Sequence, residues 1–453
     1  MSEWKKVKIG DFLTEREGRY KPNDSKISKY KRLDKIDFSG TIHISNKPTK
    51  TDMIIVHPGD LIISGINVAK GAVAVYPGDE PVCATIHYSS YTFDSSKVDL
   101  DYFKYFVKSP AFIAALQKQV KGGIKTEIKP KHLLPLEISI PDLQTQQEIV
   151  KKVSLQLQRT EQLSLEIESQ KNYIKQLRQN ILQEAIEGKL TADWRNKNPI
   201  QKGNPDYDAE ALFEQIQKEK KNLLAKKELK KGSLPKTIRS NKDLLKYPDT
   251  WKWARIDDLF FVTKLAGFEF TEYFHLTESG EIPVVRAQNV RDLTLNKSNL
   301  LYIDSKTSKL LERSALTKPS LLVTFIGAGI GDVGIFEEKE RWHLAPNVAK
   351  LEPLKNCEKL ISLKLVALFM LSSFGQKEIF KYMKATAQPS LSMESIRDIC
   401  FPLPPLAEQN EIVTRVENQL QTVSDLENQI TKREQLTKQL MQSILKDSFE
   451  EKL

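Results

Sequence analysis

Ile140-Pro141-Asp142-Leu143-Gln144-Thr145-Gln146-Gln147-Glu148-Ile149-Val150 and Leu403-Pro404-Pro405-Leu406-Ala407-Glu408-Gln409-Asn410-Glu411-Ile412-Val413 are two versions of one motif. Pro, Leu, Gln, Glu, Ile and Val recur in register, 263 residues apart. The same spacing carries Val153 onto Val416, Leu157 onto Leu420, Leu163 onto Leu426, Ile167 onto Ile430, Leu177 onto Leu440 and Ile181 onto Ile444. A register kept over more than forty residues is the mark of duplication. Glu3-Trp4 with Ile9-Gly10-Asp11-Phe12 likewise resembles Thr250-Trp251 with Ile256-Asp257-Asp258-Leu259, at a spacing of 247 residues. The second copy is therefore longer inside its domain.

The repeated stretch has helical logic. Val153, Thr160, Ile167, Ile174 and Ile181 step by seven residues, with Leu163 and Leu177 at the d positions between them. The second copy has Val416, Val423, Ile430, Thr437 and Ile444, with Leu426 and Leu440 at d. This is a heptad seam, interrupted at d by Gln156, Gln170, Gln419 and Arg433. Pro141 and Pro402, Pro404 and Pro405 mark the helix starts, Asp142 is placed to cap the first, and Gly188 is placed to end it. Each helix covers about forty residues, roughly 60 Å. An apolar stripe needs a partner. The two copies in one chain are natural partners for each other; a coiled coil between two chains is the alternative.

Lys+Arg number 69 against 59 Asp+Glu, a formal net charge of +10. That modest excess suits a polyanionic partner, although a basic soluble protein without nucleic acid gives the same number. Cys83, Cys357 and Cys400 are scattered and form no CxxC pair, which points to a reducing, cytoplasmic setting and to no metal site. The N-terminus leads into no apolar signal segment, and no apolar run is long enough to span a membrane.

The pattern divides the chain into a domain at 1–140, a long helix at 141–188, a basic linker with a short helix at 189–247, a second domain at 248–402 and a second long helix at 403–453. Both domains mix short β-branched runs (Met53–Val56, Asp60–Ser64, Gly71–Val75, Ser320–Phe325) with helical stretches (Asp99–Val107, Ser109–Val120, Leu360–Leu371, Phe374–Lys384). The expected fold is α+β, each domain a curved sheet with flanking helices. The linker helix, about Ala209 to Leu229, has an apolar face of Leu212, Phe213, Ile216, Leu223 and Leu224 and two lysine-rich runs that read most simply as solvated surface. Loops carry Arg, Lys, Gln and Asn, the side chains that match base edges and phosphates in DNA. The candidates are Lys31, Arg32, Ser64, Asn67, Lys121 and Lys125 in the first domain, and Arg286, Gln288, Asn289, Lys384 and Gln388 in the second. Ordinary loops are polar too, so each residue alone is weak.

Catalytic motifs are missing or defective. Gly329-Ile330-Gly331-Asp332-Val333-Gly334 matches GxGxxG, but no helix-forming stretch follows it, as a dinucleotide or S-adenosylmethionine site requires. Pro404-Pro405 sits between leucines rather than in an amino-methyltransferase motif. Glu127-Ile128-Lys129 is half of a nuclease pattern without its acidic partners, and no Walker A or HExxH sequence is present.

The whole chain resembles the specificity subunit of Type I restriction–modification enzymes. The resemblance rests on Trp4 with Ile9-Gly10-Asp11-Phe12, Pro58-Gly59-Asp60-Leu61, the twice-occurring proline entry into the long helices, Leu177-Arg178-Gln179-Asn180-Ile181-Leu182, and Gly188-Lys189-Leu190-Thr191-Ala192-Asp193-Trp194-Arg195. The second copy departs from the pattern at Pro319-Ser320-Leu321. The resemblance implies two target-recognition domains separated by two long helices in an intramolecular antiparallel coiled coil, each domain reading half of a split, asymmetric site in double-stranded DNA. It implies two methyltransferase subunits docked on the helices, carrying S-adenosylmethionine and methylating adenine at N6, and two motor–nuclease restriction subunits carrying ATP and Mg. This chain would bind no cofactor, hold no catalytic residue and contribute specificity alone. Its helices would then set the spacing of the half-sites. A stand-alone two-domain DNA-binding protein, a structural coiled-coil protein and an enzyme using the Gly329 loop are the competing readings.

Overall fold

The computed structural model describes residues 4–37, 40–45, 47–66, 72–119, 129–229, 247–291, 293–327, 329–381, 383 and 390–449. The chain divides into two compact units, residues 1–170 with 429–453, and residues 171–428.

In unit 1 the strands are β1 (Lys5–Lys8), β2 (Leu13–Glu15), β3 (Arg32–Ile36), β4 (Ile42–Ser45), β5 (Met53–Val56), β6 (Leu61–Ser64), β7 (Val73–Val75), β8 (Val82–Thr85), β9 (Tyr88–Phe93) and β10 (Glu137–Ile140). The helices α1 (Leu100–Phe106), α2 (Pro110–Gln119) and α3 (Pro130–Leu133) precede the long α4 (Leu143–Ile186), whose first part belongs to this unit. One curved sheet was expected; two four-stranded sheets are found, ordered β2-β9-β6-β7 and β4-β3-β8-β5, beside the ribbon β1-β10. The run Leu61-Ile62-Ile63 explains the layering. Leu61 and Ile63 face α1 and the long helices, while Ile62 faces Leu33, Val56 and Ala84 of the second sheet. A strand buried on both faces reads as a continuous apolar run, and the period of two sorts it between two cores.

Unit 2 repeats the plan. After α5 (Ala192–Lys197) and α6 (Ala209–Ala225) come β11 (Lys252–Arg255), α7 (Ile256–Leu259), β12 (Phe260–Lys264), α8 (Gly267–Tyr273), β13 (Ile282–Val285), β14 (Val290–Arg291), β15 (Thr294–Leu295), β16 (Leu301–Ile303), α9 (Ser305–Leu310) and β17 (Ala315–Leu316). Then follow β18 (Ser320–Thr324), β19 (Val333–Phe336), β20 (Trp342–Leu344), β21 (Val348–Pro353), α10 (Leu363–Leu371), α11 (Ser373–Phe380), α12 (Met393–Arg397), β22 (Cys400–Leu403) and the long α13 (Leu406–Phe449). The sheets are β12-β21-β18-β19, β16-β13-β20-β17 and the ribbon β11-β22, strand for strand the order of unit 1, with the small β14-β15 ribbon added.

The two long helices pair within the chain, in antiparallel sense. In unit 1, Val153 and Ile444 share one core, and Arg433 Nη1 donates to Gln170 Oε1 at 3.2 Å. In unit 2, Arg178 Nη2 donates to Glu427 Oε2 at 3.2 Å, and beyond the end of α4 Arg415 Nη1 of α13 donates to Asp193 Oδ1 of α5 at 2.5 Å. The end of α4 is a Schellman turn: Lys189 N–H reaches Glu184 O, Gly188 N–H reaches Ala185 O, and Gly188 has φ +69°. A Cβ there would lie 2.5 Å from Pro248 Cγ. The stretch read as a linker is partly a packed layer of unit 2: Leu212, Ile216 and Leu223 of α6 are buried, and Lys220 Nζ donates to Asp257 O at 2.6 Å.

The turn after α4 feeds a buried carboxylate. Glu408, 1% exposed, accepts from Arg195 Nη1 at 2.5 Å, Thr191 Oγ1 at 2.7 Å and Trp251 Nε1 at 2.8 Å. It joins the end of one long helix, the start of the second domain and the start of the other long helix. Removing one partner of a buried pair leaves a charge uncompensated, a loss of about 3–5 kcal/mol. Glu408→Ala is expected to lower the stability of unit 2 by that amount in denaturant titration, against no more than about 0.5 kcal/mol for the exposed Glu417→Ala, as usual for surface sites.

Candidate nucleic-acid interface

The connection from β2 to β3 in unit 1, residues 16–31, is a series of turns pinned by one apolar plug. Asp24 Oδ1 accepts the Lys26 N–H at 2.9 Å, and Ile27 is buried against Met53 and Cys83. Fixing the turn this way leaves Lys21, Lys26, Lys29 and Lys31 exposed. Lys29 Nζ lies 5.1 Å from the centre of the Tyr30 ring. Between this connection and residues 47–49 runs a cleft of about 350 Å³, lined among others by Pro22, Tyr30, Arg32, Lys47, Pro48 and Met53. The Arg32 side chain is 15% exposed and is held by Asp34, to whose Oδ1 its Nη2 donates at 2.8 Å. Residues 21–50 carry eight Lys and Arg against Asp24, Asp34 and Asp37. This is a positive, aromatic-floored edge, suited to a polyanion with apolar rings between its charges.

The other sequence candidates fall differently. Lys31 and Arg32 stand together at this edge. Ser64 is buried at the end of β6, its N–H donating to Ala72 O at 3.0 Å, and presents nothing to a ligand. Arg286, Gln288 and Asn289 sit together on the turn after β13. Asn289 is spent on its own loop: Oδ1 accepts Arg286 N–H at 3.0 Å, and Nδ2 donates to Asn296 O at 2.8 Å. Arg286 Nη2 donates to Asn299 O at 2.5 Å, while Gln288 is exposed with no side-chain hydrogen bond among the described residues. Asn67, Lys121, Lys125, Lys384 and Gln388 lie outside the described residues. Lys47 was missed in the sequence because only the pairing of β3 with β4 brings it beside Arg32.

The long helices bury one line of the heptad. Val153, Thr160, Ile167, Ile174, Ile181, Val416, Val423, Ile430 and Ile444 are buried, whereas Thr437 is half-buried. The d leucines are not: Leu163, Leu177, Leu426 and Leu440 are between 36% and 46% exposed. The interruption at d read from the sequence goes with a single buried column: Gln156, Gln170, Gln419 and Arg433 break the d column at every second step. The glycine motif is a hairpin loop. It joins β18 to β19, Gly331 turns at φ +89°, Gln376 Nε2 donates to Gly331 O at 3.1 Å, and Asp332 pairs with Arg291. No helix opens there, so the dipole that would hold a pyrophosphate is missing. All three cysteines are buried, and burial pushes the Cys83 and Cys357 thiols up to about 11, which keeps them protonated at neutral pH. Among the described residues no His, Cys, Asp and Glu group has the spacing of a metal site, and no helix is long and apolar enough to cross a membrane.

A family model for the type I restriction modification DNA specificity domain matches residues 1–172 and 248–437. The chain belongs to this family. Each matched segment holds one sheet domain and the first part of its long helix, so the specificity domain occurs twice. The EcoBI specificity subunit of Escherichia coli is 22% identical over 340 residues, covering 75% of this chain and 63% of that protein. The EcoKI specificity subunit of Escherichia coli strain K12 is 23% identical over 360 residues, covering 77% and 64%. The chain thus spans a little under two thirds of the length of these relatives. In fold it is similar to a chain of a type I R-M system solved for its complex assembly and conformational transition, with a TM-score of 0.65, 15% identity and 100% and 98% of the two chains covered. It is also similar to the HsdS subunit from Thermoanaerobacter tengcongensis, with a TM-score of 0.51, 17% identity and 100% and 97% covered.

The loop after β13 offers a direct comparison of neighbours in this specificity-domain protein. Asn289→Ala strands a buried loop and is expected to cost about 1–3 kcal/mol in thermal or denaturant unfolding. Gln288→Ala is expected to leave stability within about 0.5 kcal/mol, so any effect it has on DNA recognition is read without a folding defect.

Proposed function

We propose that this chain is the DNA-specificity subunit of a type I restriction–modification assembly. Residues 1–140 and 248–402 are its two target-recognition domains, each reading one half of a split duplex site. Residues 141–188 and 403–453 are the spacer helices, and 189–247 is the linker, with α6 docked on the second domain. The carrying observation is that one sheet topology occurs twice in one chain, and that the family model matches both copies. Two unlike copies of one reader suit a bipartite, asymmetric site, as paired modules suit paired half-sites.

The chain supplies recognition and leaves chemistry to partners: two methyltransferase subunits with S-adenosylmethionine, and two restriction subunits with ATP and Mg. Adenine N6 methylation requires the base to leave the stack. The exposed leucines Leu163, Leu177, Leu426 and Leu440 offer the methyltransferases an apolar column beside the buried line, and helix-in-groove docking uses anchors of this spacing. Such subunits work in the cytoplasm, with the chromosome.

Methylome sequencing of cells carrying this chain with a cognate methyltransferase is expected to show a methyl-adenine motif in two halves. Exchanging residues 1–140 for those of another specificity subunit should change one half and keep the other. A single continuous motif, or no motif, would sink the reading in favour of a stand-alone DNA-binding protein. Leu163→Glu with Leu440→Glu should abolish co-purification of the methyltransferase while leaving the unfolding midpoint within a few degrees, because both side chains are already partly in water.

A further inference from the structure

The repeated topology makes the two units comparable loop by loop. β3 and β13 each pair antiparallel with the following sheet strand, β4 or β16, and parallel with β8 or β20. The connection entering that strand is residues 16–31 in unit 1 and residues 265–281 in unit 2. Residues 16–31 carry Arg16, Arg19, Lys21, Lys26, Lys29 and Lys31 against Glu17 and Asp24. Residues 265–281 carry Glu269, Glu272, Glu278 and Glu281 and no Lys or Arg. One topological position thus has opposite charge in the two copies.

The geometry sharpens the contrast. In unit 2 this connection is tied to the next one: Arg313 Nη2 donates to Glu269 Oε2 at 3.0 Å, and Ser305 N–H donates to Glu281 Oε2 at 2.8 Å. In unit 1 the matching tie is Lys21 Nζ to Asp52 Oδ1 at 3.1 Å, and beside it the cleft of Tyr30, Arg32 and Lys47 stays open. Lys26, Lys29, Lys31 and Lys47 have no carboxylate partner among the described residues. Lys47 lines the open, proline- and tyrosine-floored cleft, and Lys26, Lys29 and Lys31 are exposed on the connection that forms its other wall; ammonium groups free of carboxylates attract the phosphates of a DNA strand, whereas a row of glutamates repels them.

We infer that residues 16–31 with Lys47 form a phosphate-anchoring edge for the DNA backbone, present in unit 1 and missing at the same position of unit 2. The inference rests on the DNA-specificity reading above and deepens it. The ionic part of duplex binding is carried unequally: the first domain grips the backbone at this edge, and the second does not.

The test is the salt dependence of duplex binding by the full chain in its methyltransferase assembly. Lys26→Ala, Lys29→Ala and Lys47→Ala are made together, and each lost phosphate contact lowers the slope of log K against log salt by about 0.9. The triple variant should lose about two to three units of slope and bind cognate and random duplexes about tenfold or more weakly, by the same factor. The methylated motif should not change. Arginine at the three positions should restore the slope, and Lys306→Ala with Lys309→Ala, in the β16–β17 connection of unit 2 that corresponds to the one holding Lys47, should leave it unchanged. An unaltered slope in the lysine triple, or an equal fall in the unit 2 pair, overturns the inference while the specificity reading stands. A changed motif overturns it in favour of base reading by these side chains. A parent assembly with no salt-dependent affinity for duplex overturns both.

Discussion

At the foot of each long helix one buried glutamine holds a domain to its spacer. Gln146 Oε1 accepts the N–H of Asp99, the cap of α1, at 2.8 Å, and its Nε2 donates to Pro141 O at 2.8 Å. Gln409 does the same in the second copy, with Ser362 N–H at 2.9 Å and Pro404 O at 3.1 Å. A buried amide is costly unless both ends are satisfied, so its partners fix the direction of the helix relative to the domain it serves. The joint sets the aim of each domain: a loop is only as well directed as the element that carries it.

The joint also shows why the helices bury a single column. Val153 and Ile444 enter the core of unit 1 together, and Phe449 stacks edgewise on Tyr102 and Phe106, with ring centres 5.2 and 5.9 Å away. Those a-type residues serve two roles at once, helix pairing and domain packing. The d leucines stay between 36% and 46% exposed and leave apolar side chains on the helix surface.

The two copies share their framework and differ in their surface connections. Strand order, the proline entries and the buried glutamines are the same in both. The β2–β3 and β12–β13 connections have reversed charge, and among the described residues the β14–β15 ribbon is found in the second copy alone. Framework positions are constrained by packing, in which one lost methylene is felt. A surface loop answers to solvent and ligand alone, and is free to change sign.

The sequence by itself determined the duplication, the helix starts and ends, and the apolar period of both spacers. These are local patterns: a proline entry, a seven-residue step, a glycine where the helix stops. It also pointed to Lys31 and Arg32, because cations cluster there along the chain. Only the tertiary structure decided that each domain has two sheets, since the short runs around Ile62 give no sign of which core each face meets. Only folding put Asn289 and Ser64 out of reach, by spending or burying their polar atoms, and set Lys47 beside Arg32. The tertiary structure also decided which parts make a unit. The last turns of α13 complete the core of the first domain, and Arg195, beyond α4, meets Glu408 of α13 and Trp251 of the second domain. Antiparallel pairing brings together residues far apart in the chain, and no local pattern records that closure.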